Sequence, residues 1–130
     1  MHCLAYVLTT PSSADVNHLM SLHQRTPDDP CGEWDSYAVG GRWNGHFRGL
    51  QPHDAEGNVT AARRLLASLG GGGKFAPAAL VTPDGRWRDG MCCFGGTWHM
   101  QTPEEWAAEV MRALADAAAD TTVTVIDYHF

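Results

Sequence analysis

A chain of 130 residues, 44% apolar and 18% charged, is long enough for a single domain with one ordinary core and is neither disordered nor fibrous in composition. A formal charge of −6 argues against non-specific nucleic-acid binding and against membrane-surface binding, both of which need a basic face. No apolar run approaches the roughly 18–20 residues that span a bilayer, and Met1-His2-Cys3-Leu4 lacks a basic leader, so the expected location is the cytoplasm, with Cys3, Cys31, Cys92 and Cys93 reduced.

Residues 2–9 read as a strand with apolar groups on both faces. Pro11-Ser12-Ser13 opens a helix on which Val16, Leu19, Met20 and His23 keep the spacing of one buried stripe. His23 on that stripe reads as a hydrogen-bonded histidine at the edge of the core. Two prolines in Thr26-Pro27-Asp28-Asp29-Pro30 end the helix. The stretch from Trp34 to His46 follows, then a polar loop from Gln51 to Asn58. Residues 59–69 predict a second helix, with Val59, Ala62, Leu65, Leu66 and Leu69 on one side and Arg63 and Arg64 off it. Gly70 to Gly73 ends it as a connector. Lys74 is followed by Phe75 rather than Ser or Thr, which rules out a phosphate-binding loop. Residues 78–82 and 86–94 predict two strands joined by the turn Pro83-Asp84-Gly85. Thr102-Pro103-Glu104-Glu105 is a capping-box helix start, followed by the stripe Trp106, Val110, Leu114 and Ala117. A strand over residues 121–129 closes the chain.

Strand, helix, excursion, strand, strand, helix, strand predicts one α+β domain over residues 1–130. The expected architecture is a ferredoxin-like split βαβ sheet, with a long aromatic-rich excursion (about residues 26–75) between the first helix and the second strand. In that topology the last strand lies antiparallel beside the first, which brings Asp127 and His129 close to His2 and Cys3. Ferredoxin-like sheets often pair through their open face, so a homodimer is left open. An excursion of this length in so small a domain marks a functional segment or a lid.

Trp34-Asp35-Ser36-Tyr37-Ala38-Val39-Gly40-Gly41-Arg42-Trp43-Asn44-Gly45-His46 mixes aromatic area with a carboxylate, a guanidinium and an imidazole around a Gly-Gly pair. That mixture fits the wall of a pocket, where apolar surface surrounds a few placed polar groups. Together with Val81-Thr82-Pro83-Asp84-Gly85-Arg86-Trp87, Gly90-Met91 and the terminal Val125-Ile126-Asp127-Tyr128-His129, it resembles a group of small bacterial and phage proteins. These carry an aromatic-Gly-Gly-Arg-Trp-x-Gly segment and end in Asp-x-His. The resemblance implies that these residues matter and implies a phage or mobile-element accessory setting; it supplies no mechanism. Arg88 stands where the group has a His after the Trp, which removes any role for that His here.

Asp127 and His129 are two apart and share a strand face with Val123 and Val125. Three readings follow: both are solvated at a frayed strand end; Asp127 orients His129 or Arg42, with His129 as general acid or base; or both ligate a metal with His2, His46 or His99. No HxxxH or HExxH spacing sharpens the third, and neither a metal nor another cofactor is expected. Arg42 beside Trp43 can take a carboxylate or phosphate while the ring stacks on a planar group, or it can pair with Asp35 or Asp127 to hold the excursion down. Trp98 and His99, read as a loop before the last helix, either close over the site or form a staple against Trp106. Cys31 in an acidic loop is not a nucleophile candidate, and Ser36 lacks the setting of a serine triad.

The leading expectation is therefore a domain binding a small anionic or planar ligand, nucleotide-like or an aromatic acid. Arg42 clamps charge, Trp34, Tyr37, Trp43, Trp98 and His99 add surface, Gly40 and Gly41 admit the ligand, and Asp35, Asp127 and His129 orient it. The alternatives are a cofactor-free enzyme using His129 and Asp127 as its acid–base pair, and a Trp-rich protein-interaction module.

Overall fold

Two eight-residue strands form the axis of the molecule: β1 (His2–Thr9) and β8 (Thr122–His129) pair antiparallel along their whole length, from His2 opposite His129 to Thr9 opposite Thr122. The computed structural model describes residues 1–69, 76–94 and 97–130, and of 91–94, 97 and 98 the backbone alone. The four-glycine connector and Lys74 lie outside the described residues. Between the two central strands the chain runs through α1 (Val16–Ser21), β2 (Ser36–Val39), β3 (Val59–Ala61) and α2 (Ala62–Ser68). It continues through β4 (Ala79–Val81), β5 (Trp87–Asp89), the hairpin β6 (Met91–Phe94) and β7 (Thr97–Met100), and α3 (Pro103–Asp116).

The sheet order is β2-β8-β1-β4-β5, with β3 also paired to β8 on the side of β2. The last strand does lie antiparallel beside the first. The split βαβ order, however, is not what forms: β1 pairs directly and in parallel with β4, Ala5 opposite Ala79 and Val7 opposite Val81, with no strand between them. The reason is in the side chains. Ala79, Leu80 and Val81 are all buried, as a strand covered on both faces requires, whereas Trp87-Arg88-Asp89 is half-exposed and suits an edge. The turn at Pro83-Asp84-Gly85, with Gly85 at φ +88°, therefore turns β5 outward rather than inward. Among the described residues the architecture is α+β: one mixed sheet, the separate β6–β7 hairpin and three α-helices.

Period-2 alternation sorts the core into two layers. Leu4, Tyr6, Leu8, Leu80, Val123 and Val125 face Phe47, Leu65 of α2, and Trp106, Val110 and Leu114 of α3. Ala5, Val7, Ala79, Val81, Ile126 and Tyr128 face Leu19 and Met20 of α1, with Trp34. The capping box of α3 forms as expected, Thr102 accepting from the Glu105 N–H while the Glu105 side chain accepts from Thr102 N–H. His23 is the hydrogen-bonded core-edge histidine, its Nε2 2.8 Å from the Gly85 carbonyl.

The excursion differs most from its predicted form. Its helix starts three residues late, because Val59-Thr60-Ala61 extends along β8 before α2 begins. Residues 86–94 are two strands rather than one, broken at Gly90, and Trp98-His99 lies in β7 rather than in a loop. No helix among the described residues is long and apolar enough to cross a membrane.

Candidate active site at the end of the central strand pair

Strand register assembles the site. His2 faces His129 and Leu4 faces Asp127 across the β1–β8 ladder, while β2 places Ser36 opposite His129 and Ala38 opposite Asp127. Paired residues share a face and side chains alternate, so His2, Asp127 and His129 continue the row that begins as Leu8, Tyr6, Val123 and Val125. The row thus passes from a core into a cleft of about 170 Å³ lined by His2, Ser36, Tyr37, Ala38, Asp127 and His129.

Each imidazole is tied through Nδ1 to its own carboxylate. His2 Nδ1 lies 2.8 Å from Asp127 Oδ1, and His129 Nδ1 lies 2.8 Å from Asp35 Oδ1. The two rings meet edge to face with centroids 5.3 Å apart. A carboxylate at Nδ1 selects the tautomer protonated there and leaves Nε2 as the basic nitrogen. Neither Nε2 has a hydrogen-bond partner among the described residues.

The two carboxylates are held differently. Asp127 is 7% exposed, and its Oδ2 accepts the Arg42 backbone N–H at 3.0 Å. Burial pushes its carboxyl up, but the Arg42 N–H and the His2 ring outweigh burial and hold it below its ordinary value. Asp35 is 46% exposed, and the hydrogen bond from His129 is the main cause that lowers it. The Asp35 backbone N–H also donates to the His129 carbonyl at 2.9 Å, so side chain and main chain clamp the same residue. Both carboxylates are thereby kept ionised beside their imidazoles.

Gly40 and Gly41 make the contact with Asp127 feasible. Gly41 has φ +52°, and a Cβ there would stand 2.5 Å from the Asp127 Cβ and Oδ2. Gly40 has φ +74°, and its Cβ would stand 2.7 Å from the Asn58 side chain. Only residues without a Cβ let the backbone pass this close and present the Arg42 N–H to the carboxylate. Asn58 then fastens the segment: its Oδ1 accepts Gly45 N–H at 2.8 Å, its Nδ2 donates to Asn44 Oδ1 at 2.9 Å, and its carbonyl accepts Val125 N–H at 2.9 Å.

The aromatic residues divide. Trp34 is 5% exposed, and its indole N–H donates to the Met20 carbonyl at 2.8 Å; it packs between α1 and the sheet and offers no stacking surface. Tyr37 meets Trp34 edge to face, donates its hydroxyl to Asn17, and also forms one wall of the cleft. Trp43 is half-buried against the helical core layer. The expected cage of Trp34, Tyr37 and Trp43 around a ligand is therefore not assembled, and no Trp-rich surface forms from Trp34 and Trp43. The Arg42 guanidinium is exposed and lies within electrostatic reach of Asp127. His99 is on the β6–β7 hairpin, which follows the edge strand opposite β2, so it is not on a loop beside His129. The Trp98 side chain lies outside the described residues.

Of the sets considered for a metal, the structure brings together only His2, Asp127 and His129. His46 is bound instead to the Tyr6 hydroxyl, Nε2 to Oη 2.9 Å. Burial pushes Tyr6 well above the usual phenol range and His46 below the usual imidazole value, so the two form a neutral pair. Among the described residues no group of three or more His, Cys, Asp or Glu side chains gathers in a way that could hold a metal ion. His2 is the functional candidate that motif reading passed over as a catalyst; its signal was register, since a terminal strand paired with the first must set residue 2 near residue 129. Comparison with family models, curated proteins and solved structures yields no match.

Proposed function

We propose that this protein is an acid–base enzyme acting on a small anionic ligand, with His2 and His129 as the proton-transfer groups. The observation that carries the reading is the pair of Nδ1–carboxylate contacts, each 2.8 Å, on two imidazoles whose rings lie 5.3 Å apart in one cleft. An imidazole oriented in this way presents its Nε2 to take or give a proton. With a reach of about 2.6–3.2 Å from each Nε2, the two rings can act on one substrate. Arg42 supplies the charge complement for an anion, and Asp35 and Asp127 orient the bases rather than react.

Initial rates on p-nitrophenyl acetate, bis(p-nitrophenyl) phosphate and 2-hydroxypropyl p-nitrophenyl phosphate, the last carrying its own hydroxyl, test this. On whichever ester is turned over, His2→Ala and His129→Ala each lower kcat by about 10²–10⁴-fold with circular dichroism unchanged. Absence of turnover on all three, with p-nitrophenyl phosphate binding that Arg42→Ala abolishes, favours the second reading, a binding protein. The exposed Arg42 guanidinium is what supports that second reading.

A further inference from the structure

The acid–base reading leaves open which bond is broken. We infer that the site cleaves a ribonucleotide phosphodiester by transferring the phosphoryl group to the neighbouring sugar hydroxyl; this rests on the reading above and adds its substrate class.

The count of proton-transfer groups decides between acyl and phosphoryl chemistry. Acyl transfer through an imidazole-activated nucleophile needs one imidazole, a side-chain nucleophile and free N–H donors for the oxyanion. Here the cleft holds two imidazoles, each with its own carboxylate. The serine that lines it, Ser36, donates its hydroxyl to Asp35 at 3.2 Å, and the Arg42 N–H is taken by Asp127. No hydroxyl lining the cleft is set up to attack, Tyr37 donating its own to Asn17, and with both imidazoles assigned to proton transfer the nucleophile belongs to the substrate or to water. Displacement at phosphorus asks for what is present: a base at the entering oxygen, an acid at the leaving oxygen, and a cation for the remaining oxygens. The cation assigned to this part is Arg42, which does not line the cleft itself but is exposed beside it and within electrostatic reach of Asp127.

Size and charge narrow the ligand further. A cleft of about 170 Å³ is smaller than the roughly 300–1,000 Å³ that encloses a drug-sized molecule, so it takes a phosphate-sized group and leaves the nucleosides outside. A hydroxyl already attached to the substrate removes the entropic cost of recruiting water into so small a space. The net charge of −6 gives no basic track for a long polymer, which points to a dinucleotide or a cyclic nucleotide.

The step balances without an oxidant or a metal. One imidazole takes the proton of the sugar hydroxyl as the new O–P bond forms. The other gives its proton to the leaving alkoxide as the old P–O bond breaks. The products are a cyclic phosphodiester and an alcohol. Water then opens the cyclic ester with the two imidazoles in exchanged roles, which restores their starting protonation.

The test uses the full chain with uridylyl-adenosine, its 2′-deoxy analogue, 2′,3′-cyclic cytidine monophosphate and p-nitrophenyl acetate, all in the presence of a chelator. The expected result is cleavage of the ribose dinucleotide to the cyclic phosphate and adenosine, none of the deoxy analogue, and slower opening of the cyclic ester. His2→Ala and His129→Ala each lose at least about 10²-fold, and Arg42→Ala raises KM. Asp35→Asn, a conservative change at an exposed carboxylate, gives a smaller loss and keeps the test valid where a histidine variant does not fold. Turnover of the acetate with none of the diesters overturns the phosphodiester assignment and leaves the acid–base reading standing. Equal cleavage of the deoxy analogue, or cleavage that survives in both histidine variants, overturns it as well. No turnover of any compound overturns both.

Discussion

The two faces of the β1–β8 pair use the same ladder for opposite ends. On one face, Ala5, Val7, Ile126 and Tyr128 stay apolar and are sealed by α1 and Trp34. On the other, Leu8, Tyr6, Val123 and Val125 begin as core, and the row then turns to His2, Asp127 and His129. A polar row can leave a core without penalty only if every group finds a partner. Here the partners come from the excursion: Asp35 for His129, and the Arg42 N–H for Asp127. The residues around the Gly-Gly pair therefore serve both faces, Trp34 closing one and Asp35 with Gly40-Gly41-Arg42 equipping the other.

That division is open to experiment, beginning where the effect should be largest. Trp34→Ala should cost about 3–5 kcal/mol in denaturant unfolding, as for other buried aromatic truncations. A merely weakened ligand with stability intact would return Trp34 to the pocket. His129→Ala should do the reverse, losing about 10²–10⁴-fold in rate while unfolding stability moves within about 0.5 kcal/mol. Between these, Asp127→Ala should lose both activity and about 1–3 kcal/mol, because it strands the Arg42 N–H and the His2 ring. Gly41→Ala should lower activity through the same carboxylate, since its Cβ would collide with Asp127; the backbone conformation at φ +52° adds about 1 kcal/mol of strain.

The smallest effect is on acid stability. Asp127 and Asp35 both have folded values held below the ordinary carboxylate range. A depressed folded value contributes stability that is present above the unfolded value of about 3.9 and is lost as pH falls through the folded one. The Asp127→Asn variant should therefore show a flatter stability curve than the parent below about pH 4. Identical slopes in the two proteins would break the link between the Arg42 and His2 contacts and the ionised carboxylate.

Local patterns were readable where one interaction decides the structure. The capping box at Thr102 and Glu105 fixed the start of α3, and strict alternation through Val123, Val125, Asp127 and His129 placed the last strand and its polar end. The excursion was not readable in the same way. Val59-Thr60-Ala61 continues the helical stripe of Leu65, yet its backbone is spent on β8, because that edge was open and an unpaired strand edge gains hydrogen bonds. Trp34 looked like pocket wall because residue type alone does not report which side of a sheet a loop crosses. Its indole found the Met20 carbonyl and thereby the apolar face.

By itself, then, the chain order and its periodicities determined an α+β domain whose last strand returns beside its first, and hence a meeting of Asp127 and His129 with His2. The elements follow from side-chain alternation and local caps, which need no distant partner, and the return of the last strand beside the first is expected from the order of strands and helices through the ferredoxin-like topology. Only the tertiary structure decided that β4 rather than β5 lies against β1, that Asp35 rather than Asp127 orients His129 while Asp127 takes His2, and that Gly41 exists to let a backbone N–H reach Asp127. Each of those depends on groups far apart in sequence, brought together by burying both faces of one sheet and by pairing the two carboxylates at its polar end.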